Sequence, residues 1–136
     1  MGFLVQGGAP PDDSVTTAKI QDDAVTGPKL GDSTLSSGFQ YTADADGTKT
    51  SGTYTPAYAG GNVKTATNGG AHTLAPQSGD GVIVVLYTND SSAGATTTSG
   101  FDKVTGDSFT TTNTNTFICQ LTVIGAESHL HVTDTS

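Results

Sequence analysis

The chain has 136 residues, of which 33% are hydrophobic, and a formal charge of −8 from 13 acidic residues and five lysines. Because nucleic-acid binding depends on neutralising phosphates with Lys and Arg, this charge argues against a nucleic-acid partner. No stretch approaches the 18 apolar residues of a membrane span, so no membrane partner is expected. One compact domain with an appendage fits this length. The low hydrophobic content favours an assembly of several copies, since burial grows with the size of the assembly.

The N-terminal segment, residues 1–36, contains a repeat. Residues 13–20 match residues 23–30 at a spacing of ten, and a shorter copy begins at Asp32. Neither a helix nor a flat strand keeps one residue in five on a single face. Short extended pieces, covered on their apolar side by neighbouring chains, are therefore predicted. The apolar residues of the repeat recur at every fifth position: Val15, Ile20, Val25, Leu30 and Leu35.

The pattern shared by residues 13–20 and 23–30, D-x-V-T-x-x-K-[IL], resembles repeats common in the tail fibres and other virion fibres of bacteriophages. The resemblance implies a homotrimer in which each chain supplies the apolar residues of its repeat to a shared three-fold axis. The apolar start, Phe3, Leu4 and Val5, is expected to anchor the chain to another virion protein, such as the major capsid protein or a tail or baseplate protein, or to pack beneath the trimer. A disordered Thr-rich linker is the alternative interpretation of the segment.

The body, residues 37–136, is predicted to be a β-sandwich or jelly roll. Residues 117–124 alternate in polarity like a half-buried strand, and residues 82–87 are apolar on both faces, which predicts a central strand. Many short strands at spacings near ten residues are typical of these two architectures. A lone sandwich would expose Val84 or Val85, which also favours a trimer. The predicted strands are 39–42, 51–58, 62–67, 71–74, 82–88, 95–98, 108–112, 117–124 and 128–133.

The second half of the chain also resembles a C-terminal domain of bacteriophage virion proteins, including short fibres and spikes. The residues that carry this resemblance are 68–70 with 73–74, 93–95, 99–107 and 128–132. It implies a structural role on the virion surface. The short length and the lack of Trp favour a head fibre or capsid decoration protein. The alternative is the receptor-binding tip of a short tail fibre that recognises a host surface glycan.

Two groups of residues could bind a metal ion. Residues 44–47, Asp-Ala-Asp-Gly, resemble the start of a calcium loop, but the third acidic position and the distal Glu are missing, so a turn is predicted. His129 and His131 share one face of a predicted strand and could bind an ion if three copies met at an axis. We instead expect them to be polar outward or interface residues, with Leu130 and Val132 facing the core, and predict no metal site.

A single cysteine, Cys119, excludes an intrachain disulfide. It lies on the apolar face of its strand, so a buried structural thiol is predicted. The alternatives are an interchain link at the trimer axis and a thiol that faces solvent. The sequence has no G-x-S-x-G pattern, and its acidic residues fall mainly in turns, whereas a glycan hydrolase needs a carboxylate pair in a cleft. We therefore predict no enzyme and no cofactor.

Overall fold

The structure is a computed structural model that describes residues 42–136, and this part of the protein consists of nine β-strands without a helix. The predicted all-β class is confirmed. Accordingly, the described part contains no helix that could cross a membrane. The strands are β1 Asp44–Lys49, β2 Thr53–Tyr54, β3 Val63–Asn68, β4 His72–Leu74, β5 Gly81–Asn89, β6 Thr96–Thr98, β7 Lys103–Gly106, β8 Thr116–Ile124 and β9 Glu127–Asp134.

The strands form one mixed sheet and one parallel sheet. Six strands pair in the order β1-β3-β5-β8-β9-β7, and three pair in the order β2-β4-β6. The pairs β1–β3 and β3–β5 are parallel, whereas β8 runs antiparallel to both β5 and β9. A jelly roll consists of antiparallel strands, so the pairing differs from the predicted sandwich or jelly roll. The prediction placed β5 in the centre of a sheet, and it does lie between β3 and β8.

The first six strands are arranged as three stacked rungs, each made of one long strand and the short strand that follows it. The rungs are β1 with β2, β3 with β4, and β5 with β6, and they stack in chain order in both sheets. Thr53 of the first rung pairs with Thr73 of the second, and Thr73 pairs with Thr97 of the third. Parallel stacking of successive rungs is the arrangement of a β-solenoid.

Two buried asparagines hold the turns of the second and third rungs. We call such a turn, which joins the long strand of a rung to its short strand, a corner. Asn68 and Asn89 are register partners at the ends of β3 and β5, and both are almost fully buried. Asn68 Nδ2 donates to Asn89 Oδ1 and to the Gly94 carbonyl, each at 2.9 Å. Asn68 Oδ1 accepts from the N–H groups of Gly70 and Gly94 at 3.3 and 3.2 Å. This side chain therefore satisfies the backbone groups of two corners at once.

The Asn68–Asn89 pair, which we call the asparagine ladder, also holds the loop that precedes β8. Asn89 Nδ2 donates to the carbonyl oxygens of Thr110 and Thr112 at 2.8 and 2.9 Å. Residues 108–112, predicted as a strand, form none, and two of their carbonyls accept hydrogen bonds from the Asn89 side chain rather than from a neighbouring strand. A shorter strand, β7, forms at Lys103–Gly106 instead.

Successive corners approach each other too closely for a side chain. A Cβ added to Gly94 would lie 2.1 Å from the Ala71 nitrogen, and one added to Gly70 would lie 2.5 Å from the Thr50 carbonyl oxygen. Glycine is therefore required at both corners because the backbones of neighbouring rungs touch there.

The core lies between the two sheets. Phe109 packs edge-on against Tyr87 and Phe117, with ring centroids 5.8 and 5.3 Å apart. Tyr87 also hydrogen-bonds His72, which links β5 to β4 of the other sheet. Burial raises the pKa of Tyr87 to about 12. The buried apolar residues of the core cluster are Tyr54, Ala66, Leu74, Ile83, Val85, Tyr87, Phe117, Cys119, Leu121, Leu130 and Val132.

Most of the strands predicted within the described residues match observed strands. Six predicted strands, from 62–67 to 128–133, match observed ones to within one residue at each end, the segment 108–112 excepted. The predicted strand 51–58 shrinks to Thr53–Tyr54. The turn predicted at residues 44–47 is wrong, because these residues belong to β1. The predicted boundary between residues 36 and 37 lies outside the described residues.

Candidate functional site

The outer face of the six-stranded sheet, which points away from the core, carries an apolar band on three adjacent strands. In this band Val63 is the register partner of Val84, and Leu86 is that of Ile118. Val82, Leu86 and Ile118 are 38%, 44% and 41% exposed. Exposed apolar patches of this kind mark interaction surfaces. We define the apolar band as Val63, Val82, Val84, Leu86 and Ile118.

A shallow groove lies beside the band, where β7, β8 and β9 meet, with a volume of about 350 Å³. Its walls include Asp102, Lys103, His129 and the exposed side chain of Ile124. The Ser128 N–H and hydroxyl both donate to Asp102 Oδ2 at 2.7 Å. These hydrogen bonds lower the pKa of the Asp102 carboxyl. Asp102 is therefore ionised and accepts hydrogen bonds. A carboxyl that acts as a general acid has a raised pKa instead.

The two histidines predicted to point outward share one hydrogen-bond partner, and His129 also lines this groove. Thr105 Oγ1 lies 2.9 Å from both His129 Nε2 and His131 Nδ1. A hydroxyl has one proton, so it donates to at most one of the rings and accepts from the other. Leu130 and Val132 face the core as predicted. The described residues contain no group of three or more His, Cys, Asp or Glu side chains placed to hold a metal ion.

The carboxylates of residues 44–47 pair with a buried lysine. Lys64 is 1% exposed, and its Nζ lies 2.7 Å from Asp44 and 3.7 Å from Asp46. The Tyr54 hydroxyl donates to Asp46 Oδ2 at 2.6 Å, and burial, together with this carboxylate, raises the pKa of Tyr54 above its usual range. A buried charge needs such partners. Pairing with Lys64 and Tyr54 accounts for Asp44 and Asp46 in a strand, where the sequence predicted a turn.

Cys119 is buried as predicted, with its strand neighbours Phe117 and Leu121 on the same inward face. Burial raises the pKa of the Cys119 thiol to about 12. At neutral pH the thiolate, which is the reactive form, is therefore scarce.

We expect Cys119 in the folded protein to resist iodoacetamide and to react fully after denaturation. Cys119→Ser should cost about 1–3 kcal/mol of unfolding free energy, because it places a hydroxyl in an apolar site. Cys119→Ala should cost less, since it leaves only a small cavity. Mass spectrometry after brief alkylation measures the first effect and urea denaturation the second. Rapid modification of the native protein would mean that the thiol is accessible.

The attachment and trimer residues predicted from the sequence lie outside the described residues. These residues are Phe3, Leu4, Val5, Val15, Ile20, Val25, Leu30 and Leu35. The structure therefore leaves their roles as predictions. The apolar band was indicated in part, because residues 82–87 are apolar on both faces. The contribution of Val63 and Ile118 to the same patch becomes visible only through the strand register.

Comparison of the chain with protein-family models, curated proteins and solved structures gives no match.

Proposed function

We propose that this chain is a bacteriophage virion structural protein, a short homotrimeric fibre or decoration protein. In this proposal residues 1–36 form an extended stalk that attaches to the capsid and trimerises the chain. The body is exposed on the virion surface. The N-terminal repeat supports the trimer, and the resemblance of residues 13–35 and 67–132 to phage virion proteins supports the location.

The single observation that carries the proposal is the stacking of three rungs in chain order. Each rung closes onto the next through backbone hydrogen bonds, and the buried Asn68–Asn89 pair also links the second rung to the third. Such stacking needs few large apolar residues, which agrees with the 33% hydrophobic content. It suits a protein whose role is a durable β-structure continuing from a repetitive stalk.

The proposal predicts a trimer in solution. Light scattering of the full chain at micromolar concentration should give a mass of about 41 kDa, three times the 13.7 kDa of one chain. Several apolar side chains, among them Val82, Leu86 and Ile118, are exposed in a single copy. Each one that is withdrawn from water contributes roughly 1.5–3 kcal/mol to the free energy of association. A stable monomer at this concentration would contradict the homotrimer.

A second candidate function is favoured by the groove where β7, β8 and β9 meet. One lysine, Lys103, the two carboxylates of Asp102 and Glu127, and the ring of His129 surround the exposed side chain of Ile124 there. Such a mixed surface could hydrogen-bond sugar hydroxyls at the tip of a short tail fibre. The fluorescently labelled protein should then bind to host cells. Loss of this binding in Lys103→Ala, with an unchanged oligomeric mass, would favour this function. Equal binding by that variant would remove it.

A further inference from the structure

We propose that the apolar band on the outer face of the six-stranded sheet is the surface on which a second copy of this chain packs. The inference rests on the homotrimer proposed above and assigns its contact surface within the body. It concerns only β3, β5 and β8.

The position of the band is the first argument. Val84 and Leu86 lie on β5, which has neighbours on both sides, and not on an edge strand. A sheet with one solvated face places polar residues on that face. Here Val63 and Ile118 extend the apolar surface to the strands on either side of β5. Alternation alone would make this the polar face, so the band indicates a covered surface.

The distribution of charge identifies the occupant. The chain carries 13 acidic residues against five lysines, so identical copies repel one another wherever charged surfaces meet. Within the described residues, the outward positions of β1, β3, β5 and β8 hold only apolar, hydroxyl and amide side chains. The charged residues of this face begin at Glu127 and Lys103, on β9 and β7. Copies whose bands face a common three-fold axis can therefore meet there without like-charge repulsion.

Other partners fit this surface less well. A charged macromolecule would be recognised by opposite charge, which these outward positions lack. A sugar would be recognised by aromatic platforms, and no Phe or Tyr lies at the outward positions of β1, β3, β5 and β8 in the described chain. A second copy presents the same uncharged apolar surface and satisfies both conditions.

The test uses full-length protein with one added cysteine, Leu86→Cys or Ile118→Cys, and Thr53→Cys as the control. Thr53 is exposed and lies on β2 in the other sheet. The native Cys119 is buried, so its protection reports that each variant is folded. We measure the mass by light scattering, the rate of maleimide labelling and interchain disulfide formation under mild oxidation.

The band cysteines should label about tenfold or more slowly than Thr53→Cys, because a covered thiol reacts only in the minor fraction of dissociated copies. They should also form interchain disulfides, which Thr53→Cys should not. A trimeric mass with rapid labelling at both band positions would contradict the band as the contact surface but would agree with the homotrimer. A monomeric mass with rapid labelling would overturn both. A monomeric mass with slow labelling would show that the N-terminal segment covers the band, and would overturn the second copy as its occupant.

Discussion

Asn89→Ala should lower the unfolding free energy of the body by about 3 kcal/mol, because it leaves buried hydrogen-bonding groups at the corner without a partner. The substitution removes the acceptor of Asn68 Nδ2 and the donor to Thr110 and Thr112. A buried polar group without a partner costs about 1–3 kcal/mol. Thr112 is exposed, so water can replace its lost hydrogen bond. The costs of losing the hydrogen bonds to Asn68, Thr110 and Thr112 therefore do not add in full. Urea denaturation followed by circular dichroism measures the effect.

Asn113→Ala is the matched control, because Asn113 is an exposed asparagine in the same loop. It should change stability by less than about 0.5 kcal/mol. Asn89→Asp keeps the shape but points a carboxylate oxygen at two carbonyl oxygens. This carboxyl should be easier to protonate in the folded state than in the unfolded state. The variant should therefore recover stability as the pH falls. Equal stability of Asn89→Ala and Asn113→Ala would show that the ladder does not hold the corner.

Deleting residues 1–30 should abolish attachment to phage particles and leave the body folded. The deletion removes the proposed anchor and most of the repeat, whereas the core cluster from Tyr54 to Val132 is retained. Particles incubated with labelled full-length or truncated protein are separated by sedimentation, and the bound label is compared. Protection of Cys119 from alkylation confirms that the truncated protein is folded.

A full-length variant with Phe3→Ser and Leu4→Ser separates attachment from trimerisation. It should lose particle binding while its mass in solution stays that of the unchanged chain, because the repeat is intact. The matched control, Thr17→Ser with Thr26→Ser, alters polar positions of the same segment and should bind normally. Decoration of particles by the truncated protein at the level of the full chain would refute the assignment of attachment to this segment.

Strands β5 and β8 were predictable from the hydrophobic pattern of the sequence. Alternating polarity over residues 117–124 predicted β8, and the continuous apolar run of residues 82–87 predicted β5. The parallel stacking was not predictable from that pattern, because it depends on which strands pair. A signal for it does exist in the sequence. Pro56 and Pro76 follow the short strands of the first two rungs at corresponding positions, three residues after the paired Thr53 and Thr73.

The strand β1 was missed for a different reason. Two aspartates next to a glycine are typical of a turn, and the sequence does not show that Lys64, 20 positions after Asp44, pairs with them in the neighbouring strand. The apolar band was missed in part for the same reason. Ile118 alone is unremarkable in a half-buried strand, and only its register with Leu86 makes it part of a patch. Long-range pairing therefore separates what the sequence could predict from what it could not.

The most direct test of the proposed virion role is to locate the body on purified phage particles that carry this gene. Electron microscopy with gold-labelled antibody against residues 42–136 should show label distributed over the surface of the head. Label confined to the tail tip would favour the receptor-binding candidate instead. Absence of both label and chain-derived peptides from purified particles would contradict a virion structural protein.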